Sequence, residues 1–338
     1  MNTLSRSVPF GLSRRQILTG SAAAGLLGVL PRRVWADARD IKGASIRAAY
    51  YKGQELLSLT AAGLTDTPYK VAYSEFGSGN LIIQAINAGA IDVGGMSEIP
   101  PVFAATAGSG VDLKLIAVAR GDVNNQVVLV PKDSPARSIG DLKGKRVGYV
   151  RATTSHYYLI KMLHEQGLTF SDIEPINLSP ADGLAAFESG ALDAWAIYGY
   201  SIQLAIAAVG ARVLKTALGY LSGNYVVGVH PSVLTDPVKH AVVADYLRRL
   251  QKAYRWREDN KDQWTEILSK AIQVSRSIVH EQLYNESQPY RLAPVDDAAI
   301  QSQQAVADTF AEAQLIPSPV NVAPLWDRSF NDVLSEAS

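Results

Sequence analysis

This sequence predicts an α/β protein of two lobes, and three observations predict it. Short apolar runs alternate with helical stretches, as in parallel strands joined by crossover helices. The alternation occurs twice, with Gly89 and Gly190, Asp92 and Asp193, and Ile46 and Val147 each 101 residues apart. Two further apolar extended segments stand where a chain of two lobes must cross between them.

The first unit reads as a strand over 45–50, a helix over 54–62, a strand over 70–75, a helix over 80–88, the turn Gly89-Ala90-Ile91-Asp92 and a strand at Val93. The second reads as a strand over 146–150, a helix over 155–166, a strand over 173–178, a helix over 182–189, the turn Gly190-Ala191-Leu192-Asp193 and a strand over 194–197. Each second helix ends on a glycine, which takes positive φ cheaply before the chain turns into the next strand. Residues 127–131 read as the hinge strand leaving lobe one, and 225–229 as the returning one. Lobe one is thus expected over 39–129 and 227–338, and lobe two over 130–226. The chain after the return is helical. Asp236 is an N-cap with Pro237 at the first helical position, and Val238, Val242, Leu247, Leu250 and Tyr254 form a stripe at helical spacing. Helices follow near 262–274, 277–286 and 296–313.

Composition removes several function classes. The chain has 338 residues, 47% of them hydrophobic and 19% charged, an ordinary globular balance. Lys plus Arg (32) equals Asp plus Glu (32), without the basic excess of a nucleic-acid binder. There is no cysteine, hence no disulfide, thiol nucleophile or Cys-held metal. Five scattered histidines contain no HExxH zinc motif. Phe76-Gly77-Ser78-Gly79 holds Gly-x-Gly without the third glycine of a dinucleotide fingerprint, and there is no GxSxG elbow. No catalytic residue, metal or cofactor is expected.

The start of the chain reads as an export signal. Arg14-Arg15 precede an apolar run over 17–30, too short for the roughly 20 residues of a membrane span. Cleavage after Ala36 or Ala38 fits the small residues there. Paired arginines before a weak apolar run suit twin-arginine export. Loss of residues 1–38 removes Arg6, Arg14, Arg15, Arg32, Arg33 and Asp37, leaving a mildly acidic, periplasmic chain.

Ligands of open α/β sheets bind beyond the carboxyl ends of the strands. Those loops are 50–54, 76–80, 94–100, 151–156, 179–182 and 198–201. They are rich in Gly, Ser and Thr and open helices, whose free N–H groups suit an anion; the same hydroxyls also make ordinary N-caps. Candidate contacts are Tyr51, Gln54, Ser78, Gly79, Met96, Ser97, Glu98, Thr153, Thr154, Ser155, His156, Tyr198 and Tyr225. Aromatic residues cluster nearby (Tyr50, Tyr51, Tyr157, Tyr158, Trp195, Tyr198, Tyr200, Tyr225), either to stack on an organic group or to pack the core. Glu98 either meets a ligand ammonium or caps the helix that follows.

From Ile46 to Trp326 the sequence resembles the substrate-binding proteins of ABC importers for aliphatic sulfonates, taurine and nitrate. The resemblance rests on Gly89-Ala90-Ile91-Asp92-Val93-Gly94 through Pro100-Pro101, on 138–147, on 180–190, on Asp193-Ala194-Trp195-Ala196-Ile197, and on Ala307-Asp308-Thr309-Phe310 with Leu315-Ile316-Pro317. It implies a type II periplasmic binding fold, in which two α/β lobes joined by hinge strands hold a small organic anion, foremost an alkanesulfonate, for an ABC permease in the membrane. Its contacts map onto Gln54, Ser78, Ser97, Glu98, Thr154, Ser155, His156 and Tyr198. The sequence departs from the sulfonate branch at Met96-Ser97-Glu98, where Thr-Gly-Asp is common, and at Tyr198-Gly199-Tyr200, where Trp-Asp-Pro-Tyr is common. Both lie where the ligand tail is expected. A monomer is expected. A ligand-presenting sensor is the alternative, and a desulfinase on the same scaffold a weaker one, since its nucleophilic cysteine is missing.

Overall fold

In chain order the strands are β1 (Ser45–Tyr50), β2 (Lys70–Glu75), β3 (Val93–Ser97), β4 (Lys114–Arg120), β5 (Gln126–Val130), β6 (Arg146–Tyr149), β7 (Glu174–Asn177), β8 (Ala194–Tyr198), β9 (Arg212–Thr216), β10 (Asn224–Val229) and β11 (Arg291–Ala293). The helices are α1 (Glu55–Ala61), α2 (Gly79–Asn87), α3 (Pro100–Ala105), α4 (Thr154–Glu165), α5 (Pro180–Glu188), α6 (Ser201–Val209), α7 (Ser232–Thr235), α8 (Pro237–Asp259), α9 (Lys261–Ile272), α10 (Arg276–Tyr284), α11 (Asp297–Glu312) and α12 (Asn331–Ser335). The structure, a computed structural model, describes residues 41–106 and 111–335. The expected signal segment, 1–38, lies outside the described residues.

The strands form two sheets, ordered β11-β4-β10-β3-β1-β2 and β7-β6-β8-β5-β9. Within the first, β1 pairs parallel with β2 and β3, and β10 runs antiparallel beside β3. Within the second, β6 pairs parallel with β7 and β8, and β5 runs antiparallel beside β8. The expected duplication is therefore visible as one topology used twice. Gly89 and Gly190 end its matching helices at φ +65° and +75°.

Two expectations need correction. Ala48 pairs with Val93 and Val147 with Ala194, so Val147 corresponds to Ala48 and not to Ile46. The constant offset holds at the glycine and aspartate turn only, because the second unit carries two more residues between its first strand and that turn. The strands read as crossings are also full members of sheets. Residues 127–130 are buried, and 127–129 are paired on both sides, with β8 and β9, while β10 lies between β3 and β4. The chain passes between sheets over 121–125 and 217–223, beyond the ends of the paired strands.

Helix α8 covers the first sheet. Asp236 caps it, accepting from the N–H groups of Val238 and Lys239 at 2.9 and 3.2 Å. Val242, Leu247, Leu250 and Tyr254 are buried against the sheet, whereas Val238 is left in solvent. Burial of four such side chains contributes roughly 1.5–3 kcal/mol each. The edge strands β9 and β11 and the short helices α3 and α6 are elements that periodicity did not announce.

Candidate functional site

The carboxyl ends of the parallel strands of both sheets open onto one cavity of about 300 Å³. That volume is in the range of small-molecule sites. Tyr51 follows β1, Phe76 to Gly79 follow β2, Gly95 to Ser97 end β3, Thr153 and Thr154 follow β6, Ser179 follows β7, Tyr198 ends β8, and Gly199 to Ser201 follow it. Asn125, Gln126 and Tyr225 line it where the chain crosses between sheets, and Tyr246, Leu250, Tyr254 and Tyr290 line it from the helical side.

Several helices begin on this cavity, among them α2 after a strand of the first sheet and α4 after a strand of the second. Ser78 and Thr153 occupy the N-cap positions of α2 and α4 in extended conformation, yet neither side chain caps its helix. Elsewhere Ser179, Asp236 and Asp296 do accept from their helices' first N–H groups. The Thr153 hydroxyl instead donates to the carbonyl of Val150 at 2.7 Å, and the Thr154 hydroxyl to Gln126 Oε1 at 2.6 Å. Gln126 Nε2 in turn donates to the Tyr225 hydroxyl at 2.9 Å, which donates to the carbonyl of Asp122 at 2.8 Å. The first-turn N–H groups of α2 and α4 are thus left facing inward, with the partial positive charge of two helix ends. The Ser78 and Ser97 hydroxyls have no hydrogen-bond partner among the described residues. Gly79 keeps α2 close to β3: a Cβ there would stand 2.9 Å from Met96 Cβ and 3.0 Å from Pro100 Cγ.

Charge inside the cavity is sparse. Lys52 is the one lysine or arginine among the described lining residues, and its ammonium lies 5.6 Å from the Tyr200 ring centre. Glu55 is buried, and its Oε2 accepts from the Tyr51 N–H at 3.1 Å. Burial raises its carboxyl above the usual range, against backbone N–H groups that favour the charge. Burial also raises the phenols of Tyr51 and Tyr198 and pushes that of Tyr225 up to about 12, so all three are neutral donors or acceptors.

Of the sequence candidates, Tyr51, Gln54, Ser78, Gly79, Met96, Ser97, Thr153, Thr154, Tyr198 and Tyr225 line the cavity. Glu98, Ser155 and His156 do not. Glu98 follows Ser97 at the end of β3 and points to the far side, where its Oε1 accepts from Ser222 at 2.5 Å and Ser302 at 3.1 Å. Burial pushes its carboxyl up to about 7 against those bonds. Ser155 turns back to accept from the N–H of Val150 at 3.1 Å. His156 is buried among Tyr149, Phe170 and Phe310, and burial, with help from Arg151, lowers its imidazole to about 4. Tyr158 and Trp195 belong to the core. The Tyr158 hydroxyl donates to the carbonyl of Val127 at 2.7 Å, and Trp195 is covered by Gly183, where a Cβ would come within 2.7 Å of its ring.

Comparison with known proteins follows the same line. The NMT1/THI5 like family profile matches residues 66–229. An Escherichia coli K12 relative named for binding aliphatic sulfonates is 31% identical over 306 residues, covering 89% of this chain and 93% of its own. The chain belongs to the aliphatic sulfonate-binding proteins. The crystal structure of the periplasmic aliphatic sulphonate binding protein SsuA from E. coli superposes with a TM-score of 0.73 at 29% identity, over 84% of this chain and 92% of that one. The alkanesulfonate-binding protein SsuA from Xanthomonas axonopodis pv. citri, bound to MOPS, gives 0.77 at 30% identity, over 85% and 99%. The two-sheet fold is that of the SsuA periplasmic binding proteins.

In this member of the aliphatic sulfonate-binding proteins, sequence reading missed Glu55, Gln126, Tyr246, Tyr254 and Tyr290. Glu55 sits in the first turn of a helix, where an acid is commonplace. Gln126 opens an apolar strand. The three tyrosines lie 120 or more residues from any predicted strand-end loop of the first unit, and no local signal brings them there. No group of three or more His, Asp or Glu among the described residues could hold a metal. No helix among them is long and apolar enough to cross a membrane.

Proposed function

We propose that the protein captures a small organosulfonate in the cavity between its two sheets and delivers it to the membrane subunits of an ABC importer. The observation that carries this is the pair of uncapped helix starts at Ser78 and Thr153. A tetrahedral sulfonate has three oxygens to accept from two helix N-termini and the hydroxyls of Ser78 and Ser97. It remains ionised at any physiological pH, so neutral donors suffice and no paired cation is required. Gln54, Gly79, Met96, Thr153 and Thr154 shape this end. Tyr51, Tyr198 and Tyr225 enclose the organic tail, which supplies the apolar burial. The relatives are binding proteins, and a binding rather than a catalytic role follows. The chain is assigned to the periplasm as a monomer, exported by a cleaved signal over 1–38 of the twin-arginine type. The two lobes, one per sheet, close on the ligand as in hinge-type binding proteins.

Thermal unfolding of the exported chain against alkanesulfonates, taurine, sulfate, nitrate and phthalate tests the reading. A ligand at a hundred times its dissociation constant adds about 2.7 kcal/mol, a rise of several degrees. Stabilisation by a sulfonate is the expected result. Stabilisation by nitrate or phthalate alone would overturn the ligand class, and a mature amino terminus other than Asp37 or Arg39 would overturn the signal.

A further inference from the structure

The cavity carries a second polar feature, remote in character from the anion end. Glu55 lines it and is 8% exposed. One oxygen is held by the Tyr51 N–H at 3.1 Å, and the other faces Gly95, where an added Cβ would stand 3.0 Å from Oε1. The missing side chain of Gly95 therefore leaves the carboxylate open to the cavity. Glu55 makes no ion pair among the described residues. The Arg257 guanidinium, whose charge favours ionised Glu55, lies over the rings of Tyr254, Trp264 and Tyr290 at 5.7, 4.8 and 5.3 Å. The Glu55 charge acts on three tyrosines that line the cavity, Tyr51, Tyr246 and Tyr254.

A buried carboxylate among tyrosine rings is the chemistry that recognises an alkylammonium. The carboxylate supplies the countercharge, and neighbouring rings add cation–π attraction. Hydroxyl and N–H donors at the other end are unsuited to a cation. The same cavity thus offers N–H and hydroxyl donors to an anion and one buried carboxylate to a cation.

We propose that Glu55 is a specificity-determining residue that selects a zwitterionic ligand, a sulfonate whose tail bears an ammonium group, over the plain alkanesulfonate of the same shape. This rests on the placement of the sulfonate at the starts of α2 and α4. Glu55 pairs with the ammonium through Oε1 while Oε2 keeps its bond to the Tyr51 loop.

The test is titration calorimetry of the full chain with ω-aminoalkanesulfonates of two to four methylenes. Each is measured against the alkanesulfonate in which methyl replaces the ammonium. At one chain length the amino compound is expected to bind at least tenfold tighter. Glu55→Gln keeps an acceptor for the Tyr51 N–H but removes the charge, and it is expected to collapse that ratio towards one. Equal affinities in the wild type at every length would overturn the selection while leaving the sulfonate reading intact. A Glu55→Gln chain that weakens both series in parallel and keeps the ratio would make Glu55 a bracket for the loop only. Binding of neither series would overturn the sulfonate reading and this proposal together. If Glu55→Gln does not fold, the wild-type pairs alone decide the ligand class.

Discussion

Arg47 grips Asp92 through three contacts: its backbone N–H and Nε each donate to Oδ2 at 2.9 Å, and Nη2 donates to Oδ1 at 2.8 Å. Arg146 grips Asp193 with the same three donors, at 2.9, 3.1 and 2.9 Å. The two grips tie the first strand of each unit to the turn after its second helix. They differ in burial. The Asp92 side chain is 3% exposed and also takes Lys239, whereas that of Asp193 is 37% exposed. Asp92→Ala removes a buried acceptor from the Arg47 backbone N–H and from two partly exposed cations, Arg47 and Lys239, and is expected to cost about 1–3 kcal/mol. Asp193→Ala, a pair bathed in solvent, is expected to cost distinctly less. Urea denaturation of both variants at neutral pH checks the order; equal losses would contradict it. Burial raises the Asp92 carboxyl, but the bonds from Arg47 and Lys239 outweigh this and hold it at about 2. Its contribution is therefore present above the ordinary aspartate range and is lost as pH falls through about 2.

Glu98 gives a dependence of the opposite sign. Folded, it keeps its proton to about pH 7; unfolded, it ionises near 4.5. Between those values the folded state binds more protons than the unfolded one, so stability falls as pH rises across the interval and levels off above it. Glu98→Gln retains an acceptor for Ser222 and removes the titration. The variant should gain on the wild type by a few kcal/mol between pH 5 and 7.5. Parallel urea midpoints for the two proteins over that range would refute the assignment.

His156 acts the other way over a neighbouring range. Its imidazole stays neutral in the fold down to about 4, while the unfolded chain takes up a proton near 6.5. The unfolded state binds more protons in between, so stability falls as pH falls from 6.5 towards 4. His156→Phe keeps a ring among Tyr149, Phe170 and Phe310. It should lose less stability than the wild type between pH 7 and 5, as read from thermal midpoints.

Gln126 joins Thr154, from the second unit, to Tyr225, from the returning strand β10. Gln126→Leu strands the buried Thr154 hydroxyl, at a cost of about 1–3 kcal/mol, while Tyr225 keeps its bond to the carbonyl of Asp122. Because Thr154 begins α4, the same change displaces the anion end. Affinity for an alkanesulfonate is expected to fall at least tenfold by calorimetry, and unchanged affinity would remove Thr154 from the site.

Much of this was legible in the chain itself. The alternation of apolar runs and helical stripes predicted β1 to β3 and β6 to β8 with their helices, because each strand's burial and each helix's stripe are local patterns. The strand-end loops followed from topology alone, and with them Tyr51, Gln54, Ser78, Gly79, Met96, Ser97, Thr153, Thr154 and Tyr198, while Tyr225 was read in the returning strand. What failed was orientation. Ser97 and Glu98 are adjacent, yet alternation at a strand end sends one side chain inward and the next outward. Thr154, Ser155 and His156 share a helix start, yet rotation about its axis leaves one at the cavity and turns two away.

By itself, then, the sequence determined the doubled βαβαβ plan, the helical end and the chemistry at the strand ends, since these depend on contacts between near neighbours. Only the tertiary structure decided which face each side chain shows, and that Tyr246, Tyr254 and Tyr290 line the same cavity as Glu55. Those tyrosines come from a helix and a loop that reach the site by packing across the sheet, at a separation no local pattern encodes. For the same reason a carboxylate that reads as an ordinary first-turn acid became the one buried negative charge facing the ligand space among the described residues.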